Sequence, residues 1–161
     1  MDETYLRVAD KWTYLYRAVD WTGDTIDFLL SPKRDAAAAK RFFQKALRAP
    51  NHPRPRVVNV DGNPAYPTGI EELKGTRELG RRCRCRPVRY LSKIVEQDHR
   101  AIERRIRAMQ GIRSFDSAWR TIQGIKTGNM IRKGQVFWCQ RATFSDRAAF
   151  VSDLLAVAVA A

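Results

Sequence analysis

The chain has 161 residues, 44% of them hydrophobic and 29% charged, and carries 30 Lys and Arg against 17 Asp and Glu, a formal net charge of +13. A chain of this length can bury roughly 70% of its extended surface in one domain without covalent staples. Three cysteines exclude a disulfide framework, the longest apolar run (148–161, broken by Ser152 and Asp153) falls short of a membrane span, and the basic excess points to a polyanionic partner.

The first thirty residues read as three strands joined as a meander: Thr4 to Val8, Trp12 to Val19 and Thr25 to Leu30. They are rich in β-branched and aromatic residues and separated by turns at Ala9-Asp10-Lys11 and Asp20 to Asp24. Gly23 gives the second turn a cheap positive φ. Asp35 then reads as the N-cap of an amphipathic helix from Ala36 to Ala49, with Phe42, Phe43, Ala46 and Leu47 as its apolar stripe. Pro50, Pro53 and Pro55 end it, because each removes a donor and restricts the residue before it.

A fourth strand, Arg56 to Val60, delivers Asp61 at its end, and Gly62-Asn63-Pro64 turns the chain into a short helix around Gly69 to Lys74. Arg81, Arg82, Arg84, Arg86 and Arg89 place five arginines in nine residues, and part of that run, ending near Tyr90, is expected to be a fifth strand. Leu91 to Met109, capped by Ser92, and Ser114 to Lys133 both carry apolar residues at helical spacing. Trp12, Trp119 and Trp138 read as core or helix-packing residues, and Trp21 as a loop residue.

This order of elements predicts an α/β fold of the ribonuclease-H-like, retroviral-integrase-like type, a mixed five-stranded sheet flanked by helices. In such a fold Asp2, Asp61 and Glu96 converge, with 34 residues between the second and third acid. Hard divalent cations take oxygen ligands, so three carboxylates of this kind can serve a two-metal site. Taken singly, an Asp that ends a strand is more often a turn residue, and a Glu on a helix is more often solvated.

Asp2-Glu-Thr-Tyr5, Lys11-Trp-Thr-Tyr-Leu-Tyr-Arg-Ala-Val-Asp20, Val58-Asn-Val-Asp61 with Pro64-Ala-Tyr66, and Arg89-Tyr-Leu-Ser-Lys-Ile-Val-Glu96-Gln-Asp-His99, followed by Ile131-Arg-Lys-Gly-Gln135, together resemble the catalytic domain of insertion-sequence transposases of the insertion-sequence-six family. The resemblance covers most of the chain from Asp2 to about Gln135. It implies a DDE triad of Asp2, Asp61 and Glu96 that binds two Mg²⁺ or Mn²⁺ ions and catalyses DNA strand cleavage and 3′-end transfer. His99, three residues beyond Glu96, is expected beside the active site.

Arg81, Arg82, Arg84, Arg86, Arg89, Arg100, Arg104 and Arg107 are candidate DNA contacts, because guanidinium groups pair with phosphate through two parallel hydrogen bonds. A solvated charged face is the plain alternative. Glu103 stands where family members commonly carry a basic residue. Cys83-Arg-Cys85 resembles half of a metal knuckle but has no second pair at suitable spacing.

The resemblance further implies element ends and target DNA as partners, a homo-oligomer assembled on DNA, no small-molecule substrate, and a cytoplasmic, nucleoid-associated location. Full-length relatives carry a helix-turn-helix region ahead of the first acid. The expectation is therefore a catalytic core over residues 1–135 that lacks this region, with a divergent tail over residues 136–161. Two other function classes fit the same residues. One is a catalytically inactive DNA-binding remnant, and the other a ribonuclease-H-like nuclease, which would lack the insertion-sequence motifs.

Overall fold

The computed structural model describes residues 1–49, 53–88, 102, 104–106, 112–136 and 143–159. Two compact units, Met1–Arg120 and Thr121–Ala161, divide the chain.

Three strands open the first unit, β1 (Asp2–Val8), β2 (Lys11–Val19) and β3 (Thr25–Ser31), paired antiparallel in the order β1-β2-β3. Asp2 stands opposite Arg17, Glu3 opposite Tyr16 and Tyr5 opposite Tyr14. Ala9 and Asp10, at φ 47° and 62°, form the two-residue turn between β1 and β2, a conformation whose twist matches that of the flanking strands. Gly23, at φ 88°, occupies the position in the second turn where a side chain would be strained. Alternation along β1 buries Leu6 and Val8 on one face and leaves Tyr5 and Arg7 exposed on the other, where Glu3 is nevertheless buried.

Helix α1 (Ala36–Leu47) begins at Asp35, whose carboxylate accepts the Ala38 amide at 2.8 Å. Ala38, Ala39, Phe42 and Phe43 form its buried stripe. The Phe42 ring lies 5.8 Å from that of Tyr16 and 6.4 Å from that of Phe43. Lys45 clasps the helix to β3, donating to the Phe28 carbonyl at 2.8 Å and pairing with Asp27 at 3.3 Å.

Strands β4 (Val57–Val60) and β5 (Arg84–Pro87) pair in parallel, and α2 (Ala65–Gly75) lies in the connection that a parallel pair requires. Tyr66, Ile70 and Leu73 of α2 are fully buried and share one core with Tyr16, Ala18, Phe42, Phe43, Val58 and Val60. A Cβ on Gly69 would stand 3.4 Å from the Lys40 amide, so the glycine lets α2 approach the backbone of α1 closely.

The architecture is mixed α/β, but its sheet differs from the single five-stranded one expected. Among the described residues two sheets form, one of three strands and one of two. The Met1 ammonium donates to the Asn59 carbonyl at 2.6 Å, which links the start of β1 to β4. One such bond is not a ladder, which needs a succession of them along both strands. The fifth strand runs to Pro87, after which the Val88 amide still donates to the Val60 carbonyl at 2.8 Å, and the expected end near Tyr90 lies outside the described residues.

Ile102 and residues 104–106 are helical, with Ile102 buried and Arg104 and Arg105 exposed. The remainder of the helix expected from Leu91 to Met109 lies outside the described residues. Ile112 returns to the end of β1, where its carbonyl accepts the Ala9 amide at 2.8 Å. Helix α3 (Phe115–Arg132) starts where the Ser114 hydroxyl accepts the Ser117 amide at 3.1 Å. Helix α4 (Phe144–Val159) starts where Thr143 and Asp146 cap each other. Among the described residues no helix is long and apolar enough to cross a membrane.

Two tryptophans depart from the expectation of packing: Trp12 is 64% exposed and Trp119 43%. Trp12 sits beside Tyr5, itself exposed, whose ring is 6.4 Å away. Trp21 is exposed in its turn, and Trp138 lies outside the described residues.

Because Phe42 fills the centre of the packing between α1 and the first sheet, Phe42→Ala should cost about 3–5 kcal/mol of stability. Urea denaturation followed by tryptophan fluorescence measures this, and a loss under 1 kcal/mol would contradict the packing described.

Candidate active site

The two acids from the N-terminal half meet where β1 begins and β4 ends. Asp2 is the first residue of β1 and half-buried, and its Oδ1 accepts the Glu3 amide at 2.8 Å. Asp61 follows β4 directly, and its Oδ1 accepts the Asn63 amide at 3.0 Å. The Met1–Asn59 hydrogen bond holds the two strand ends together.

The charge of Asp2 is felt at Asp61. Burial first, and then the charge of Asp2, push the Asp61 carboxyl above its ordinary value, against the opposing pull of the Asn63 amide, Arg34 and the N-terminal ammonium. The ammonium of Met1 is itself lowered by burial, against the opposing influence of Asp2, Asp61 and Cys85. Two carboxylates forced together in this way suit a divalent cation, which takes oxygen ligands and relieves their repulsion.

Among the described residues, no group of three or more His, Cys, Asp or Glu is placed to hold a metal ion. Glu96 and His99, the expected third acid and its neighbour, lie outside the described residues, as do Arg89, Arg100 and Arg107. Cys83 and Cys85 are free thiols, both pushed above their usual range by burial. Such thiols resist the deprotonation that metal ligation requires.

Behind the acid pair lies a polar cluster that the sequence reading did not anticipate. The Glu3 side chain is 2% exposed, and Arg34 donates to its Oε1 through both Nε and a terminal guanidinium nitrogen. Asn63 Nδ2 lies 3.0 Å from each Glu3 carboxylate oxygen, and the Tyr66 hydroxyl donates to Oε2 at 3.4 Å. Burial opposes the charge on Arg34, but its hydrogen bond to Glu3 together with the charges of Glu3, Tyr5 and Asp61 outweighs this and raises the guanidinium above its usual value. Tyr66 is pushed far upward by burial and by Glu3, and Tyr16 is pushed up to about 12 by the same two causes.

Arg17, opposite Asp2 in the ladder, is 3% exposed, so a buried guanidinium stands on the strand next to the first acid. Glu3 shares its strand face with the exposed Tyr5 and Arg7, so the sequence pattern gives no sign that its carboxylate is buried among donors. Nothing local says that the donors come from residues 31 and 60 positions away.

The basic run takes a definite geometry. On β5, Arg84 and Arg86 are exposed, while Cys85 between them and Cys83 before them turn inward. Arg81, Arg82 and Arg104 are exposed as well. Arg84 and Arg86 stand beside Val57 and Asn59, the exposed positions of β4, so the guanidinium row follows the strand that delivers Asp61.

The raised Asp61 carboxyl has a consequence for stability. Its folded-state value lies above the ordinary 3.8, so its contribution is fully present below pH 3.8 and is lost as pH rises through the folded value. Asp61→Asn, which imitates the protonated form, should therefore melt at a higher temperature than the wild type at pH 7. The gap should close as the pH approaches 3.8. Calorimetry across that range checks this, and a variant that melts lower at pH 7 would contradict it.

The DDE domain family, of the IS240 transposase type, matches residues 1–135. The transposase of the insertion sequence-like element IS431mec from Staphylococcus aureus strain N315 is 33% identical over 126 residues, which is 78% of this chain and 54% of that protein. The transposase of insertion sequence element IS257 in transposon Tn4003, also from S. aureus, matches with the same identity and coverage. The uncharacterized protein pYV0051 of Yersinia pseudotuberculosis strain IP32953 is 40% identical over 74 residues, 45% of this chain and 69% of that protein. The chain thus spans about half the length of the transposases it matches. No solved structure matches it. On the extent of the family match and the identity to these relatives, the chain belongs to the DDE transposases of the insertion-sequence-six family.

Proposed function

We propose that this chain carries the catalytic core of a DNA transposase, with residues 1–135 as a ribonuclease-H-like core and residues 136–161 as a divergent tail. It would cleave DNA strands and transfer their 3′ ends to target DNA, with Asp2, Asp61 and Glu96 as the acids that hold two Mg²⁺ or Mn²⁺ ions. The observation that carries this reading is the meeting of Asp2 and Asp61 at adjoining strand ends, close enough for the charge of one to raise the carboxyl of the other.

When bound, the ions would supply activation of the attacking oxygen and charge stabilisation at the leaving oxygen. What the residues of this chain contribute is placement. Asp2 and Asp61 present hard oxygen donors from the ends of two strands, and the helix expected to hold Glu96 and His99 would bring the third acid to them. Phosphoryl transfer depends mainly on positioning and electrostatics, so a carboxylate displaced by about 1 Å costs on the order of 10²-fold. The exposed arginines Arg81, Arg82, Arg84, Arg86 and Arg104, with Arg89, Arg100 and Arg107, would track the phosphate backbone. Family membership favours DNA over other polyanions, and assembly of at least two protomers on paired DNA ends belongs to the same reading.

Two measurements test it. In Mn²⁺ the chain should nick supercoiled plasmid DNA, and Asp2→Asn, Asp61→Asn and Glu96→Gln should each lower the rate on the order of 10²-fold or more. DNA binding without nicking in the wild type would favour a catalytically inactive binder instead. Duplex binding should also weaken with salt, the slope of log K against log salt being near −5 if about six phosphates are neutralised. Replacing Arg84 and Arg86 by Gln should make that slope shallower by about 2. Affinity indifferent to salt would remove the basic face from the account.

A further inference from the structure

A buried carboxylate that makes no ligand contact normally serves only to fill its own donors, but the donors of Glu3 lead to the acid pair. Asn63 is bonded in three directions. Its backbone amide donates to Asp61 Oδ1 at 3.0 Å, its side-chain oxygen accepts the Ala65 amide at 3.0 Å, and its side-chain nitrogen reaches both Glu3 oxygens at 3.0 Å. With its oxygen fixed by Ala65 and its nitrogen by Glu3, the Asn63 side chain has one orientation left. The backbone that presents an amide to Asp61 is fixed with it.

At the other end of Glu3, Arg34 approaches from the segment between β3 and α1, and Tyr66 from the first turn of α2. One carboxylate thus ties three segments to the residue that follows Asp2 in β1. Both of its oxygens are occupied by donors from Arg34, Asn63 and Tyr66, so it is placed to orient the site and not to bind a cation in it.

We infer that Glu3 is a positioning residue, acting through Asn63 to hold the Asp61 carboxylate in register with Asp2 for the divalent cation. This rests on the function proposed above for the acid pair. Residues that orient a metal ligand through its hydrogen-bond partner typically alter metal affinity or activity by about 10–100-fold. A residue that merely stabilises the fold alters melting temperature and leaves the affinity of the folded protein alone.

The test compares wild type, Glu3→Gln and Asn63→Ser. Serine can still accept the Ala65 amide, but it cannot reach Glu3, so the second variant cuts the relay without emptying the buried carboxylate position. Two readouts apply at a temperature where each variant is fully folded. The first is amide hydrogen exchange in the metal-free protein. Exchange at the amide of position 63, corrected for the intrinsic rate of the residue there, should accelerate on the order of 10-fold in both variants, and at Ala65 in Glu3→Gln, while core amides such as those of Phe42 and Phe43 keep their rates. The second is Mn²⁺ affinity by calorimetry, expected to weaken about 10-fold or more in both variants.

Unchanged exchange at the amide of position 63 in both variants, or acceleration spread evenly over the core, would overturn the inference, as would wild-type Mn²⁺ affinity in both. If wild type itself bound no Mn²⁺, the proposed function would fail. Local exchange at Asn63 would then still decide whether Glu3 positions Asp61. Should Glu3→Gln fail to fold, Asn63→Ser carries both readouts alone.

Discussion

A charge removed from water must be repaid by partners, and the Glu3 carboxylate, with a side chain 2% exposed, imposes that demand on the whole N-terminal unit. Arg34, Asn63 and Tyr66 meet it from three separate segments, the β3–α1 connection, the β4–α2 turn and α2 itself. None of these groups can be placed without placing its segment. The turn after β4 is therefore held against the first strand even though the two strands do not share a ladder. The acid pair is a by-product of that constraint, since Asp2 precedes Glu3 and Asp61 is bonded to Asn63.

Apolar packing supplies the rest of the rigidity. Tyr16, Phe42, Phe43 and Tyr66 form a run of ring contacts with centroids about 6 Å apart, joining β2, α1 and α2 beneath the polar cluster. Tyr66 belongs to both systems, its ring in the core and its hydroxyl on Glu3. On the outer side, the alternation of Cys83 and Cys85 with Arg84 and Arg86 separates a buried thiol face from an exposed guanidinium face. Core formation and exposed positive charge are thereby assigned to opposite sides of one short strand.

Much of the fold was legible because it is written in local patterns. The three-strand meander follows from β-branched and aromatic runs broken by turn residues, and α1 follows from an Asp cap before an alanine-rich amphipathic stretch. Local patterns do not encode lateral strand pairing. No residue of β1 or β4 announces that they meet through Met1 and Asn59 instead of along a full ladder. Trp12 was misread for a related reason: a large aromatic in a strand reads as core, but what covers it is set by distant parts of the chain, and it is left exposed. The site was legible to the extent that an Asp after an apolar strand attracts notice. Its supporting residues were not, because Glu3, Arg34 and Asn63 are joined across 31 to 60 positions and carry no motif of their own.

Asp2 and Asp61, brought together by these constraints, are proposed as ligands of a divalent cation. A crystal structure of the chain soaked with Mn²⁺, with anomalous scattering collected to locate the metal, tests this most directly. The account predicts an anomalous peak between the two carboxylates, with oxygen ligands from both at roughly 2.1–2.2 Å, close to the distance Mg²⁺ demands. An anomalous peak elsewhere, or none at saturating Mn²⁺ with Asp2 and Asp61 both well ordered, would contradict it.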